Sequence, residues 1–384
     1  MVRHEKKKVL SFFSAFWECG AVTSGGEQMF IQILSRARNE MDELSCITSE
    51  KGKNAISNAV PDVVFLTSPS FFDKFGMMGS YMLRTILSFR CLFLKPDVVY
   101  SSSDFFPDVI PAFFLKLFKP KVKWVQCVFH IYPDWRIRPG SKIKNFVGQY
   151  LQQFSLILAR RADIVLNINH DVSNYLVKNG FHGSRIVVIP PGIDPQALDN
   201  IPSAPANTGY DGIFLGRLNV NKGALDLIDI WANVVKEMPE ARLGIIGGGD
   251  EEIIAKIKAK ISHYDIASNI ELLGYLENER AFPIVKVSKV FLFPSREEGF
   301  GIAIVEAMHC GLPVVAWNLP VYAEHFPVAV ETIEVEKFDA FAQQVILLLK
   351  QPKKRDVKTQ QGKICAENFT WEKTANKFNE YILC

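Results

Sequence analysis

Short runs of β-branched and aromatic residues recur along the chain, separated by longer stretches whose apolar positions return every three to four residues. In the first half the runs fall at 9–13, 63–66, 98–101, 124–128, 164–168 and 186–189. Strand-length runs alternating with helical patterns predict βαβ units, and such units build a parallel sheet. From 195 to 210 the alternation stops: three prolines, two asparagines and little apolar periodicity read as a linker. It restarts with runs at 212–215, 242–246, 270–273, 290–293 and 314–316, and the end of the chain carries a helical pattern through Trp371, Ala375, Phe378 and Tyr381.

The expected architecture is therefore α/β, with two Rossmann-like doubly wound domains at 1–194 and 211–368, a linker at 195–210 and a closing helix within 369–384. Length agrees, since 384 residues exceed what one open α/β domain needs. With 48% apolar and 22% charged residues there is material for two cores and no case for extended disorder. Ligands of open α/β sheets bind beyond the carboxyl ends of the strands, so the loops after strands are where chemistry is to be sought, across a cleft shared by the two domains.

The net charge of +3 hides an asymmetry: residues 1–194 carry 24 Lys and Arg against 16 Asp and Glu, the remainder 20 against 25. A basic first half suits an anionic acceptor or a membrane surface, with scattered solvated lysines as the plainer reading. The basic residues are dispersed and no nucleic-acid-binding module accompanies them, so no nucleic-acid partner is expected. Seven cysteines without a CxxC pair suggest neither a disulfide framework nor a zinc site, and a cytoplasmic location follows. The charged start at 1–8 leads straight into the first strand without a targeting core. Arg84 and Arg90 interrupt the most apolar stretch, around 80–94, so no spanning helix is expected. Peripheral contact with the inner face of a membrane is the alternative raised by Phe71, Phe75, Met77, Met78, Phe105 and Phe118 interleaved with Lys74, Lys116, Lys119 and Lys121; aromatic core is the competing explanation.

The strongest local signal runs from Pro294 to Ala316. A strand ending at Phe293 gives way to Glu298-Gly299-Phe300-Gly301, then to a helix from about Ile302 that stops at Gly311. Gly299 and Gly301 let backbone approach a ligand, and free amides at the helix start favour phosphate. Glu298 precedes the helix and Glu306 lies about one turn inside it; carboxylates accept hydrogen bonds from sugar and ribose hydroxyls. Two solvated helix glutamates would be the plain reading of that pair alone. After the first strand of the second half comes Gly216-Arg217-Leu218-Asn219-Val220-Asn221-Lys222, whose two cations can converge on a diphosphate as its charge grows. Three further loops complete the set: Ser24-Gly25-Gly26-Glu27 after the first strand, the segment from His130 to Asp134 after the fourth, and Gly247-Gly248-Gly249-Asp250.

The Glu298 to Glu306 run, with two glutamates around Gly-Phe-Gly and the continuation Gly311-Leu312-Pro313-Val314-Val315, resembles the donor-binding signature of the retaining glycosyltransferases of family 4, which have the GT-B fold. By that resemblance Arg217 and Lys222 bind the donor pyrophosphate, Glu298 contacts sugar hydroxyls, Glu306 the ribose, and backbone near Phe300 to Ile302 the diphosphate or sugar. Gly216 and Gly248 would line the nucleotide, while Gly25 and Gly26 close on the donor from the first domain. His130 corresponds to the family's sugar-facing histidine, although the usual adjacent Asp is absent and Asp134 stands four residues on. The terminal helix would return to the first domain. The activity implied is transfer of a sugar, with retention, from a nucleoside-diphosphate sugar to a hydroxyl on a glycan or lipid-linked acceptor, as in surface polysaccharide or glycolipid synthesis. No cofactor and no metal are expected, since Arg217 and Lys222 supply the charge a metal would carry and no DxD-like cluster stands out. Two alternatives remain: a nucleotide-sugar epimerase, which would isomerise donor without acceptor, and a non-catalytic sugar-nucleotide-binding scaffold.

Overall fold

The computed structural model describes residues 6–14, 25–136, 138 and 141–383. Ser24 of the first glycine loop and residues 1–5 of the charged start lie outside the described residues. The chain divides into two compact units, Met1–Pro191 with Trp371–Cys384, and Gly192–Thr370.

In the first unit the strands are β1 (Lys7–Phe13), β2 (Met41–Ser49), β3 (Val63–Ser68), β4 (Val98–Ser101), β5 (Lys123–Cys127), β6 (Ile164–Asn167) and β7 (Ile186–Val188). The helices are α1 (Gly25–Ala37), α2 (Glu50–Ser57), α3 (Gly76–Ser88), α4 (Phe106–Phe118), α5 (Lys142–Ala159) and α6 (His170–Lys178). All strand pairs are parallel, in the order β3-β2-β1-β4-β5-β6-β7. Chain direction across the sheet therefore reverses between β1 and β4. Leu10, Phe12, Val99, Trp124 and Val165 bury the sheet against Leu156 and Ala159 of α5, and the Trp124 indole donates to Ser101 Oγ at 3.1 Å, so its polar edge is satisfied inside the core.

In the second unit the helices are α7 (Pro195–Asn200), α8 (Ala224–Glu237), α9 (Glu251–His263), α10 (Asn278–Val287), α11 (Ile302–His309), α12 (Pro320–His325), α13 (Phe338–Lys350) and α14 (Pro352–Ala366). Its strands β8 (Gly212–Leu215), β9 (Leu243–Ile246), β10 (Ile270–Gly274), β11 (Val290–Phe293), β12 (Val314–Trp317) and β13 (Val330–Ile333) pair in parallel as β10-β9-β8-β11-β12-β13. The reversal here lies between β8 and β11. A Cβ on Gly212 would meet the Trp231 ring at 2.6 Å, so glycine at the start of β8 is what lets α8 lay its tryptophan on the sheet.

The last helix, α15 (Trp371–Phe378), belongs to the first unit, where it packs on α1. Phe378 meets the Tyr100 ring edge-on at 5.0 Å, Arg36 pairs with Glu372 at 2.8 Å, and Thr374 donates to Pro190 O at 2.9 Å.

The structure differs from the sequence reading in three places. The stretch 195–210 is part of the second unit: Asp194 caps α7, Lys286 Nζ donates to Leu198 O at 2.7 Å, and Ala204 N donates to Pro283 O at 3.1 Å. Its prolines start helical turns and end them, so the same residues that suggested a linker fold onto α10. Strands β2 and β13 were not anticipated, because Asp42, Glu43 and Ser45, or Glu331 and Thr332, dilute their apolar signal. Helix α1 begins at Gly25, so Gly25 and Gly26 occupy its first turn and not a preceding loop.

Candidate functional site

In the second unit the charged candidates gather at the strand reversal, where the connections from β8 and β11 leave in opposite directions, the position at which open α/β sheets bind their ligands. Gly223, at φ +68, lets the loop after β8 turn into α8 pressed against the loop after β11. Arg296 N and Ser295 Oγ both donate to Asn221 O, at 2.8 and 3.1 Å. Lys222 is fixed by its own N–H donating to Asn219 Oδ1 at 2.8 Å, and its ammonium pairs with the Glu298 carboxylate. It also lies 5.6 Å from the centre of the Phe293 ring. With a side chain only 8% exposed, Glu298 is a carboxylate whose charge is met chiefly by that one lysine. Arg217 is exposed, and no hydrogen bond or ion pair among the described residues occupies its guanidinium. One cation is thus positioned by a carboxylate and the other is available to a ligand.

Gly301, at φ +103, opens α11 without a side-chain cap; Ile304 N donates to Gly301 O at 3.0 Å, and the amides of Ile302 and Ala303 are left to other acceptors. Gly299 precedes it in the half-buried turn. The loop after β9 closes the same edge: Gly216 N donates to Ile246 O at 3.0 Å, Leu218 N to Gly248 O at 2.7 Å, and a Cβ on Gly247 would stand 1.8 Å from Gly216 O. The segments carrying Gly216 and Gly248 therefore meet through their backbones, while Asp250 caps α9 by accepting from Ile253 N.

Not every residue of the motif faces a ligand. The Phe300 ring is buried among Phe326, Phe369 and His325, with centroids 5.0–5.3 Å away, so only its backbone is offered. Arg296 is engaged twice by Asp226, at 2.7 and 3.1 Å, and by Glu336. Tyr322, which the sequence did not single out, lies beside Gly301 and within the field of Glu298, its buried hydroxyl without a hydrogen-bond partner among the described residues. Nothing in its surroundings along the chain signals that placement.

In the first unit, Gly26 packs its backbone on the Phe129 ring, where a Cβ would stand 3.0 Å away, and Gly25 is exposed at the helix start. His130 follows β5 and its carbonyl accepts from Gln152 Nε2 at 2.7 Å. The same amide donates to Asp104 at 2.5 Å. Burial pushes the Asp104 carboxyl up to about 6, against the opposing influence of Gln152 and of nearby His130. Asp134, the Asp that stands four residues on, accepts from Arg136 N at 2.8 Å. Asp104, which follows β4, thus lies near His130, with Gln152 bonded to its carboxylate and to the His130 main-chain carbonyl, a neighbourhood invisible in the chain order. Asn169 caps α6 through Val172 N at 2.8 Å, which gives it a structural duty.

Two family profiles match the chain: Glycosyltransferase Family 4 over residues 23–197 and Glycosyl transferases group 1 over residues 201–364, together spanning most of its length. The chain belongs to glycosyltransferase family 4. Among curated relatives it is 30% identical over 178 residues to mannosylfructose-phosphate synthase of Agrobacterium fabrum, covering 42% of this chain and 39% of that one. It is 34% identical over 128 residues to poly(glycerol-phosphate) alpha-glucosyltransferase of Bacillus subtilis, covering 33% of this chain and 17% of that one. The match spans less than two thirds of either relative. Anabaena HepE, solved with UDP and glucose, superposes with a TM-score of 0.74 at 15% identity, over 98% of this chain and 99% of that one. At that identity the likeness concerns the fold, and the fold is the two-domain GT-B α/β architecture.

Within this family member Glu306 has an unusual environment. It sits on α11, part-buried, with no partner for its carboxylate among the described residues, and loss of water raises its pKa from 4.5 to about 7. Between those two values the folded chain holds a proton that the unfolded chain has released, so stability falls as pH rises through the window and levels off above it. The cost of the charged form is on the order of 2 kcal/mol after allowance for partial exposure. Glu306→Gln should accordingly unfold about 5 °C higher than the parent at pH 8, with the gain reduced to a small fraction at pH 5. Thermal melts at the two pH values check this; an equal gain at both would contradict it.

Proposed function

We propose that the chain is a retaining glycosyltransferase that moves a hexosyl group from a nucleoside-diphosphate sugar to a hydroxyl of a glycan or lipid-linked acceptor, in surface polysaccharide or glycolipid synthesis, without a metal. The observation that carries this reading is the Lys222–Glu298 pair beside unoccupied Arg217, at the sheet reversal and next to the Gly301 opening of α11. The acceptor oxygen attacks the anomeric carbon as the bond from that carbon to the diphosphate oxygen breaks. The departing phosphate takes the acceptor's proton on the same face of the sugar, which preserves configuration. Arg217 and Lys222 meet the charge that gathers on the diphosphate, and such charge-directed stabilisation is commonly the largest catalytic contribution. Glu298 holds Lys222 and reaches sugar hydroxyls; Glu306 accepts from the ribose. In the first unit His130, whose main-chain carbonyl is held by Gln152, is the candidate for contact with the sugar.

HepE was solved with UDP and glucose, and this supports starting with UDP-sugars. Calorimetric titration of UDP, GDP and ADP sugars should find one preferred donor, with affinity lost roughly ten- to a hundredfold in Glu298→Ala and in Arg217→Ala, as expected for a charged hydrogen bond. Parent-like binding by both variants would overturn the site. Product analysis by NMR reads the retained configuration, and incubation of donor alone reads the epimerase alternative.

A further inference from the structure

We propose that α3, α4 and α5 form a face by which this chain rests on an anionic lipid bilayer. A helix on the outside of a domain ordinarily turns its apolar stripe inward. Helix α5 does the reverse. It buries Asn145, Gln152 and Ser155 beside Leu156 and Ala159, and turns Ile143, Phe146, Val147, Tyr150, Phe154 and Ile157 outward. Those outward residues are three or four apart and make one stripe along almost the whole helix. In α3 the buried set includes Ser80, Arg84, Thr85 and Ser88, while Met78, Met82 and Ile86 point out, Ile86 with 67% exposure. Helix α4 packs against both and exposes Leu117 and Phe118.

The inversion is built into the interior. Gln152 donates to Asp104 and His130 O and accepts from Tyr132 N; Asn145 donates to Arg138 O; Arg84 pairs with Asp73 and donates to Ser14 O. Rotating either helix to hide its apolar stripe would strip these buried groups of their partners. The outward stripes are thus the fixed consequence of a polar interior, and together they make an apolar surface of a kind that water-facing proteins avoid.

Charge selects the occupant. Between residues 74 and 161 there are 14 Lys and Arg against four Asp and Glu, and neither α3 nor α5 contains an acidic residue; of these cations Arg84 is buried against Asp73, Lys116 pairs with Asp163, and Lys119 and Lys123 are held by backbone carbonyls, so the others supply the charge of the face. Of the four acids, Asp104 and Asp108 are buried, Asp97 accepts from Lys8 N, and Asp134 lies beside Arg136. Lys142 and Lys144 start α5, and Arg160 and Arg161 follow its end. Apolar stripes flanked by cations suit the boundary between acyl chains and anionic headgroups, whereas a second copy of the chain would set these cations against their own kind. No helix among the described residues is long and apolar enough to cross the membrane, so the contact is with its surface. The proposal deepens the lipid-linked acceptor part of the reading above, but its test reads vesicle binding alone and either can fail without the other.

The full chain should co-sediment with vesicles containing phosphatidylglycerol, weakly with phosphatidylcholine alone, and less as salt rises. Phe146→Ser/Phe154→Ser should reduce the vesicle partition coefficient roughly tenfold or more, and Lys142→Gln/Lys144→Gln about tenfold on anionic vesicles only. Both variants should keep the parent's nucleotide affinity and stay folded, with a melting temperature lowered by a few degrees at most, since Phe146 gives up ring contacts with Trp135 and Tyr150 and Lys142 its bond to Arg136 O. The proposal is overturned if the parent ignores anionic vesicles or if neither variant weakens binding. It is equally overturned if light scattering finds a dimer that Phe146→Ser/Phe154→Ser converts to monomer, since the face would then be an interface between copies.

Discussion

Lys222→Ala is expected to lower kcat by roughly a hundred- to a thousandfold, the usual loss when one preorganised donor to developing charge is removed. Two effects combine. The ammonium that would meet the departing diphosphate disappears, and Glu298, only 8% exposed, is left as an uncompensated carboxylate beside an incoming dianion. Donor affinity should therefore fall together with turnover. Glu298→Gln in the same chain removes the stranded charge and should recover part of the affinity while leaving kcat low, a coupling that a double-mutant cycle measures. Turnover at saturating donor and calorimetric affinity for the parent, the two single variants and the double variant provide the data. A Lys222→Ala enzyme within threefold of the parent would contradict the assignment.

Gly223→Ala should be among the most destabilising single-methyl additions in the second unit, costing about 4 kcal/mol or more. The residue has φ +68, and a Cβ there would stand 1.8 Å from Pro294 O and 2.7 Å from Pro294 C, both backbone atoms that no rotamer change can move. The same contact joins the loops that carry Lys222 and Glu298, so residual folded protein should also lose donor binding. Gly274 offers the matched control: its φ is +71 and nothing lies within 4 Å of its Cβ position. Gly274→Ala then isolates the left-handed backbone term, about 1 kcal/mol. Urea unfolding of both variants separates clash from backbone strain, and equal losses would show that the loops yield easily.

The second unit was the more legible in the chain. Strands at 212–215 and 290–293 were read with the bounds they have in the structure, because each is a short, fully apolar run between glycines and polar turns. The helix from Ile302 and its stop at Gly311 were legible for a similar reason, the latter at φ +90. Glycines at forced backbone positions leave a mark in sequence that side-chain partnerships do not. Thus Gly301 was readable, whereas the burial of the Phe300 ring among three other rings, and the arrival of Tyr322 from α12, required the fold.

In the first unit the periodicity that predicted helices gave their existence but not the direction they face. Helix α5 looked like any amphipathic segment, and only the structure shows that its polar side is the buried one. The nearness of Asp104 to His130, 26 residues later by the numbering, depends on β4 and β5 lying side by side. Asp134, displaced from the family's usual position, is occupied by the backbone of its own turn.

The central claim is that a guanidinium and an ammonium at the strand reversal receive the diphosphate while two carboxylates hold the sugar and ribose. A crystal of the chain soaked with its preferred nucleoside diphosphate tests it most directly. The account predicts phosphate oxygens within hydrogen-bonding distance of Arg217 and Lys222, with the ribose hydroxyls on Glu306. A nucleotide bound in the crystal away from these side chains would contradict it.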